Sequence, residues 1–426
     1  MQTRILAVPP ASILGRFRPG TGLSRIEEWQ VATESGSTDE LKTAAAHLRS
    51  ESASPVVAFP TETVYGLGAD ATRSAAVGAI YRAKGRPSDN PLIVHVADLT
   101  MLRRLLGSDG LLPSVYRPLV ERFWPGPLTI LLPCPERSPL AAEVTAGLST
   151  FGVRMPASSL ALSLIKLADV PVAAPSANAS TRPSPTTAHH VMDDLGGRIE
   201  LILDGGPCRV GVESTVVDGL CCPPAVLRPG GVSIQDLRRC PGWASVVKAY
   251  SDHGEEGKTA TPRAPGMKYK HYSPKASVVL YETSNREAGT GIPPADVGSV
   301  CTDVVHGSRD GHGERIVGVV RTKRWRPGAG LCCDGLRRTP PLQQSDSVYD
   351  VMVGSLKDRG GAHMGLIYDL DLGTDTGRIA RGLFSALREL DGRGADTIFV
   401  DGIDGELDIA AAVMNRLRKA ASETRA

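Results

Sequence analysis

Phe59-Pro60-Thr61-Glu62-Thr63-Val64-Tyr65-Gly66-Leu67-Gly68 is the stretch of this 426-residue chain from which its fold is read. An apolar run at 55–59 ends at Pro60, the pattern of a strand that leads into a turn. Two threonines and a glutamate are then displayed ahead of two glycines. Loops that follow strand ends are where α/β proteins gather ligand-binding groups. A plain tight turn between strand and helix fits the same residues.

Outward from this stretch, strands and helices alternate. The spacing of Val77, Ile80 and Tyr81 predicts a helix over 74–84, and a strand follows at 91–96. A helix over 113–123 stops at Trp124-Pro125-Gly126-Pro127, and 128–132 is again strand-like. Further strands are expected at 152–155, 172–174, 199–203, 214–218 and 225–227, with helices at 160–167 and 186–195. This mixture predicts a twisted α/β sheet. Upstream, 4–8 reads as a strand followed by a Pro/Gly-rich loop. The first 26 residues carry Arg4, Arg16, Arg18 and Arg25 and no acid. That also resembles a mitochondrial presequence, although Pro9-Pro10 interrupts the amphipathic helix such a segment needs.

Downstream, the composition shifts at about 243–274, where apolar periodicity is lost. A second α/β pattern begins at Ala276, with strands expected near 278–281, 316–320, 365–368 and 397–400. Helices are expected at 347–357, 379–390 and 409–421, and the Gly/Arg/Pro-rich 305–345 reads as a long loop. The resulting division is an N-terminal strand and loop at 1–36, a first α/β domain at 37–242, a linker at 243–275 and a second α/β domain at 276–426.

With 22% charged and 41% hydrophobic residues, the chain has the composition of a globular protein with substantial cores. A net charge of +2 argues against a long nucleic-acid-binding surface. No apolar run approaches the roughly 20 residues needed to span a bilayer, so no membrane association is expected. The eight cysteines contain no C-x-x-C pair and read as free thiols in a reducing compartment, which points to the cytoplasm.

Three segments carry candidate chemistry. In Lys84-Gly85-Arg86-Pro87-Ser88-Asp89-Asn90-Pro91, two cations flank a glycine at a helix end. They suit a polyphosphate, and equally a C-terminal helix cap. Ala174-Pro175-Ser176-Ala177-Asn178, followed by Arg182-Pro183-Ser184, combines small residues with hydrogen-bonding groups, though a Ser/Pro-rich turn has the same composition. Arg154 and Arg228 stand at strand ends. No Gly-x-Ser-x-Gly or phosphate-binding G-x-x-x-x-G-K-S/T occurs, and His189-His190 lack the carboxylates of a metal site. Cations and small hydroxyls without an acid–base pair fit binding-driven chemistry on phosphates.

Taken together, these segments resemble the two-domain threonylcarbamoyl-AMP synthases, the Sua5 branch of the YrdC-like proteins. The resemblance rests on Pro60-Thr61-Glu62-Thr63-Val64-Tyr65-Gly66-Leu67, Lys84-x-Arg86, Asn90-Pro91-Leu92-Ile93-Val94-His95 and Trp124-Pro125-Gly126-Pro127-Leu128-Thr129. It continues through Val153-Arg154-Met155-Pro156, Ser176-x-Asn178, Gly211-Val212-Glu213-Ser214-Thr215 and Leu227-Arg228-Pro229-Gly230. Beyond residue 235, Ala264-Pro265-Gly266-Met267-Lys268-Tyr269-Lys270-His271-Tyr272-Ser273-Pro274 and the helix 411–420 resemble segments that single-domain relatives lack.

The resemblance implies a twisted mixed-sheet YrdC-like catalytic domain and a smaller Rossmann-like α/β C-terminal domain. It implies an enzyme that condenses L-threonine, bicarbonate and ATP, the last with Mg2+, and releases pyrophosphate. The product would pass to the tRNA threonylcarbamoyl-transferase machinery, with room for a weak tRNA contact. Lys84 and Arg86 would meet the ATP phosphates, with Asn90, Thr150, Ser176, Asn178, Ser184, Arg228 and Pro265 completing the nucleotide site. Thr63, His95, Arg154 and the backbone at Ala174 would hold threonine, with Arg154 on its carboxylate. Removing Lys84 or Arg86 is expected to leave the fold intact. The aromatic and basic linker is expected to close over the ligands as a lid through Tyr269 and His271; an extended spacer against the second domain is the alternative. An RNA-binding, translation-associated module is the reading from another class. Carbamoyl transfer, as in the related domain of hydrogenase maturation factors, would call for zinc-finger C-x-x-C pairs and an acylphosphatase domain that the sequence lacks.

Overall fold

The structure is a computed structural model, and it describes residues 1–8, 14–32, 38–107, 111–250, 271–302, 314–343, 348–405 and 409–426. The chain divides into two compact units. One comprises Met1–Ser180 with Ser184–Tyr269, and the other Thr181–Pro183 with Lys270–Ala426.

The strands of the first unit are β1 (Arg4–Ala7), β2 (Gly15–Phe17), β3 (Trp29–Val31), β4 (Val57–Pro60), β5 (Tyr65–Asp70), β6 (Ile93–His95) and β7 (Leu128–Pro133). They continue with β8 (Thr150–Arg154), β9 (Val172–Ala173), β10 (Leu201–Asp204), β11 (Thr215–Asp218), β12 (Ala225–Arg228) and β13 (Val247–Lys248). The helices are α1 (Asp39–Arg49), α2 (Ser74–Lys84), α3 (Leu99–Leu106), α4 (Arg117–Phe123), α5 (Ala142–Thr145), α6 (Ser159–Ala168), α7 (Ala188–Leu195) and α8 (Ile234–Arg238). Strands β2 and β3 form a small hairpin. The others make one mixed sheet in the order β1-β10-β4-β5-β9-β6-β8-β7-β11-β12-β13.

The N-terminal segment is part of this unit. β1 extends the sheet by pairing parallel to β10. The β2–β3 hairpin docks on α6, where Ser163 accepts from the Trp29 indole at 3.0 Å and donates to the Leu14 carbonyl at 2.9 Å.

Strand alternation separates two faces. Phe151 and Val153 of β8 enter the main core with Val94, Ile130 and Leu132. On the other face Thr150, Gly152 and Arg154 alternate, and register sets His95 beside Arg154 and both Ile93 and Leu131 beside Gly152. A Cβ on Gly152 would stand 3.2 Å from Thr129 Cγ2, so glycine leaves this face open. Ile93, Leu131, Val216, Ala225 and Leu227 form a separate apolar cluster.

Strand polarity then places the motifs. β6, β8 and β12 end, and β7 and β11 begin, at one side of the sheet, whereas β4 and β9 end, and β5, β6 and β8 begin, at the other. The 60–65 turn and residues 174–178 follow from the second side, from which Thr63 is reached by Arg154 at 2.9 Å, while His95, Arg154, Ser214 and Arg228 share the first edge. Asn90 and Thr150 lie toward the opposite edge, about 13 Å away along β8 at about 3.3 Å per residue.

The second unit holds β14 (Ser277–Tyr281), α9 (Pro294–Thr302), β15 (Arg315–Arg321), β16 (Cys333–Thr339), β17 (Asp350–Lys357), β18 (His363–Asp371), α10 (Thr376–Gly392), β19 (Thr397–Asp401), α11 (Ala410–Ala420) and β20 (Glu423–Arg425). Its sheet order is β16-β17-β18-β15-β19-β14-β20, parallel from β18 to β20 with antiparallel β16 and β17 at one edge. Two expectations are corrected here. The helix expected over 347–357 is strand β17, because Val351 and Val353 prefer an extended backbone and β16 and β18 pair with it on both sides. The loop expected over 305–345 contains, besides β15, which falls on the strand expected near 316–320, all of β16, an edge strand whose Arg337 and Arg338 face solvent.

Candidate active site

The 60–65 turn is folded by Thr61. Its hydroxyl donates to the Val64 carbonyl at 2.7 Å and accepts from the Thr63 amide at 3.2 Å. This local closure presents Thr63 Oγ1, 2.8 Å from Thr61 Oγ1, to Arg154. The Arg154 guanidinium is buried at 4% exposure. It donates through Nη1 to Thr63 Oγ1 at 2.9 Å and through Nε to the Gly126 carbonyl at 3.1 Å. Its Nη2 lies 2.6 Å from Glu62 Oε1. Beside it, His95 is buried with Nδ1 3.3 Å from the Ile93 carbonyl. Burial first, and the Arg154 charge second, lower its pKa to about 3 and keep the ring neutral.

Lys84 closes α2 ahead of Gly85, whose φ of 62° makes the left-handed cap. Its ammonium crosses to the neighbouring loop. It donates to the Ser176 carbonyl, to the Asn178 carbonyl at 2.6 Å and to Asn178 Oδ1 at 3.4 Å. The loop is held from its other side by β5, through Leu67 N to the Pro175 carbonyl and Ala177 N to the Tyr65 carbonyl, both at 2.8 Å. Arg86 donates to the carbonyls of Asn90 at 3.3 Å and Pro91 at 3.0 Å. The expectation that removing Lys84 or Arg86 leaves the fold untouched is therefore corrected: both cations tie backbone segments together.

Asn90 is buried, and its Oδ1 has no hydrogen-bond partner among the described residues. Ser184 donates to Glu213 at 2.5 Å. Arg228 reaches the Ser214 carbonyl at 2.9 Å and its hydroxyl at 3.0 Å, and that hydroxyl is 2.8 Å from Thr129 Oγ1. The Ala174 amide donates to the Ile93 carbonyl at 3.0 Å. Thr63, His95 and Arg154 thus meet at one edge with Arg228 on the same level, while Ala174, Ser176 and Asn178 run on from the start of β6, and Thr150 stands at the far end of β8. His271 is half-buried in the second unit beside Tyr272, with ring centroids 5.6 Å apart. Pro265 and Tyr269 lie outside the described residues, as does all of 251–270, the larger part of the segment expected to act as a lid.

Four polar groups in this network were not assigned from the sequence: Glu62, Thr129, Glu213 and Ser214. Each lies inside a segment that had been singled out. Only the fold reveals their partners.

Residues 52–230 match the Sua5/YciO/YrdC family model, described as telomere recombination, and residues 232–422 match the threonylcarbamoyl-AMP synthase C-terminal domain. The chain is 43% identical to the threonylcarbamoyl-AMP synthase of Schizosaccharomyces pombe over 86% of its own length and 85% of that protein. Identity to the synthase of Pyrococcus abyssi is 40%, over 93% of this chain and 95% of the relative. The chain belongs to the threonylcarbamoyl-AMP synthase family. Its two-domain form is that of P. abyssi Sua5, whose crystal structure with L-threonine aligns with a TM-score of 0.70 at 34% identity across 100% of both chains. Membership in this synthase family makes the chain an enzyme of the nucleotidyltransferase type rather than a binding module.

Proposed function

We propose that this enzyme condenses L-threonine, bicarbonate and ATP into threonylcarbamoyl-adenylate and pyrophosphate, and that the product feeds N6-threonylcarbamoyladenosine formation at position 37 of tRNAs. The observation that carries the reading is the single sheet face with Arg154, Thr63 and neutral His95 at one end and Arg86, Asn90 and Thr150 toward the other. Threonine's carboxylate meets the Arg154 fork. Its amine attacks the carbon of bicarbonate with loss of water, and the N-carboxylate so formed points along the face toward the α-phosphate. The N-carboxylate attacks that phosphorus, and the bond to the bridging oxygen breaks to release pyrophosphate. Arg86, Lys84 and Arg228 supply fixed positive charge along the triphosphate, so orientation and electrostatics do the work without a covalent enzyme intermediate.

Magnesium enters with ATP. The described residues contain no group of three or more His, Cys, Asp or Glu side chains able to cage an ion, so nucleotide oxygens and water are its natural ligands. No helix among the described residues is long and apolar enough to cross a membrane. Pyrophosphate release should require threonine and bicarbonate together, with serine a poorer substrate. Equal release without threonine would overturn the assignment.

A further inference from the structure

Arg154 has a second buried neighbour that the mechanism above does not use. The Glu62 side chain is 9% exposed. Its Oε2 accepts from the Ala157 amide at 3.0 Å, and its backbone carbonyl accepts from Val210 N at 2.8 Å. Glu62 Oε1 and Arg154 Nη2 approach to 2.6 Å, yet neither atom makes a well-aligned hydrogen bond to any partner among the described residues. The two opposite charges compensate each other at this separation, while both retain unused hydrogen-bonding capacity in a buried place.

A buried arginine fork is as well suited to a phosphate as to a carboxylate. The proposed reaction puts a triphosphate and an amino acid on one sheet face, so an uncompensated Arg154 would attract the wrong ligand. An adjacent carboxylate repels a polyanion, whereas a zwitterion brings a positive group that the carboxylate welcomes. We propose that Glu62 is a specificity-determining residue, reserving Arg154 for the zwitterionic amino acid and excluding phosphates from that end of the site. The inference rests on the reading of Arg154 as the threonine carboxylate partner.

The test uses the full-length enzyme, with inorganic tripolyphosphate as the phosphate probe. Glu62→Gln keeps the side chain's size and its acceptor for the Ala157 amide but removes the charge. In the wild type, tripolyphosphate should compete with ATP and not with threonine. In Glu62→Gln it should also compete with threonine, raising the apparent KM for threonine by about tenfold at a probe concentration that leaves the wild-type value unchanged. The KM for threonine should rise more than kcat falls, and Glu62→Asp should restore the wild-type inhibition pattern. An unchanged pattern in Glu62→Gln would overturn the inference.

A second measurement does not depend on how Glu62→Gln folds. Tripolyphosphate affinity, measured by calorimetry, should be the same in Arg154→Ala as in the wild type, because the arginine is withheld from phosphates. A loss of affinity there would reject the proposal. If Arg154→Ala leaves the KM for threonine unchanged, the reading of the amino-acid end fails instead. If that KM rises and only the inhibition pattern fails to change, the Glu62 inference alone is lost.

Discussion

Lys84→Met separates a cation that serves only a ligand from one that also builds the site. Methionine keeps most of the aliphatic stem and removes the ammonium, which donates to the carbonyls of Ser176 and Asn178. Hydrogen bonds to a charged donor contribute about 1.5–3 kcal/mol each. Part of that is offset because the variant no longer buries a charge. The net destabilisation should be about 2–4 kcal/mol, or a fall in Tm of about 4–16 °C for a domain of this size. Turnover should fall by about 100-fold or more, since the released loop carries Ser176 and Asn178 and fixed cations contribute at this level. A circular-dichroism melt and threonine-dependent pyrophosphate release on the same preparation read both effects. A Tm unchanged within about 1 °C beside lost turnover would refute the tethering argument. Unchanged turnover would refute the functional one.

Burial holds the His95 pKa near 3 against an unfolded value near 6.5, so the unfolded chain binds more protons between these values. His95 should therefore reduce stability by about 1.4 kcal/mol per pH unit as pH falls from 6.5 toward 3, and replacing it with Asn should flatten that part of a Tm-versus-pH curve. Gly68→Ala places a Cβ 2.6 Å from Phe59 Cε1 and 2.8 Å from Val172 Cγ1. Overpacking should cost about 1–3 kcal/mol in urea unfolding, and a neutral result would show that β4 and β9 can yield. Tyr65→Phe removes a hydroxyl that donates to the Gly206 carbonyl at 2.8 Å, leaving that acceptor to solvent. It should cost about 1 kcal/mol by the same measurement, with pyrophosphate release largely retained.

Most of the elements near the site were legible because their signals are local. The α2 helix runs Ser74–Lys84, the bounds its apolar spacing predicts, and Gly85 stops it by adopting a backbone that other residues avoid. β7, β8, β11 and β12 fall on apolar runs bounded by Pro and Gly. The reading failed where non-local partners override local preference. The helix expected over 347–357 gives way at Asp350–Lys357, where two flanking strands satisfy the backbone and make it extended. β16, with its Gly, Arg and Asp residues, resembles a loop until an edge is available to pair with.

The sequence by itself determined which residues carry chemistry: a threonine-rich turn, paired cations, strand-end arginines and small hydroxyls, in an order that belongs to one family. It could not say what each charge faces, because pairing partners are set by register and strand polarity across long separations. Lys84 reaches carbonyls 92 and 94 residues away, and Arg154 meets a hydroxyl 91 residues away. Tertiary structure alone turned Lys84 from a free cation into a tether. It alone set Glu62 against Arg154, where one charge governs what the other can bind.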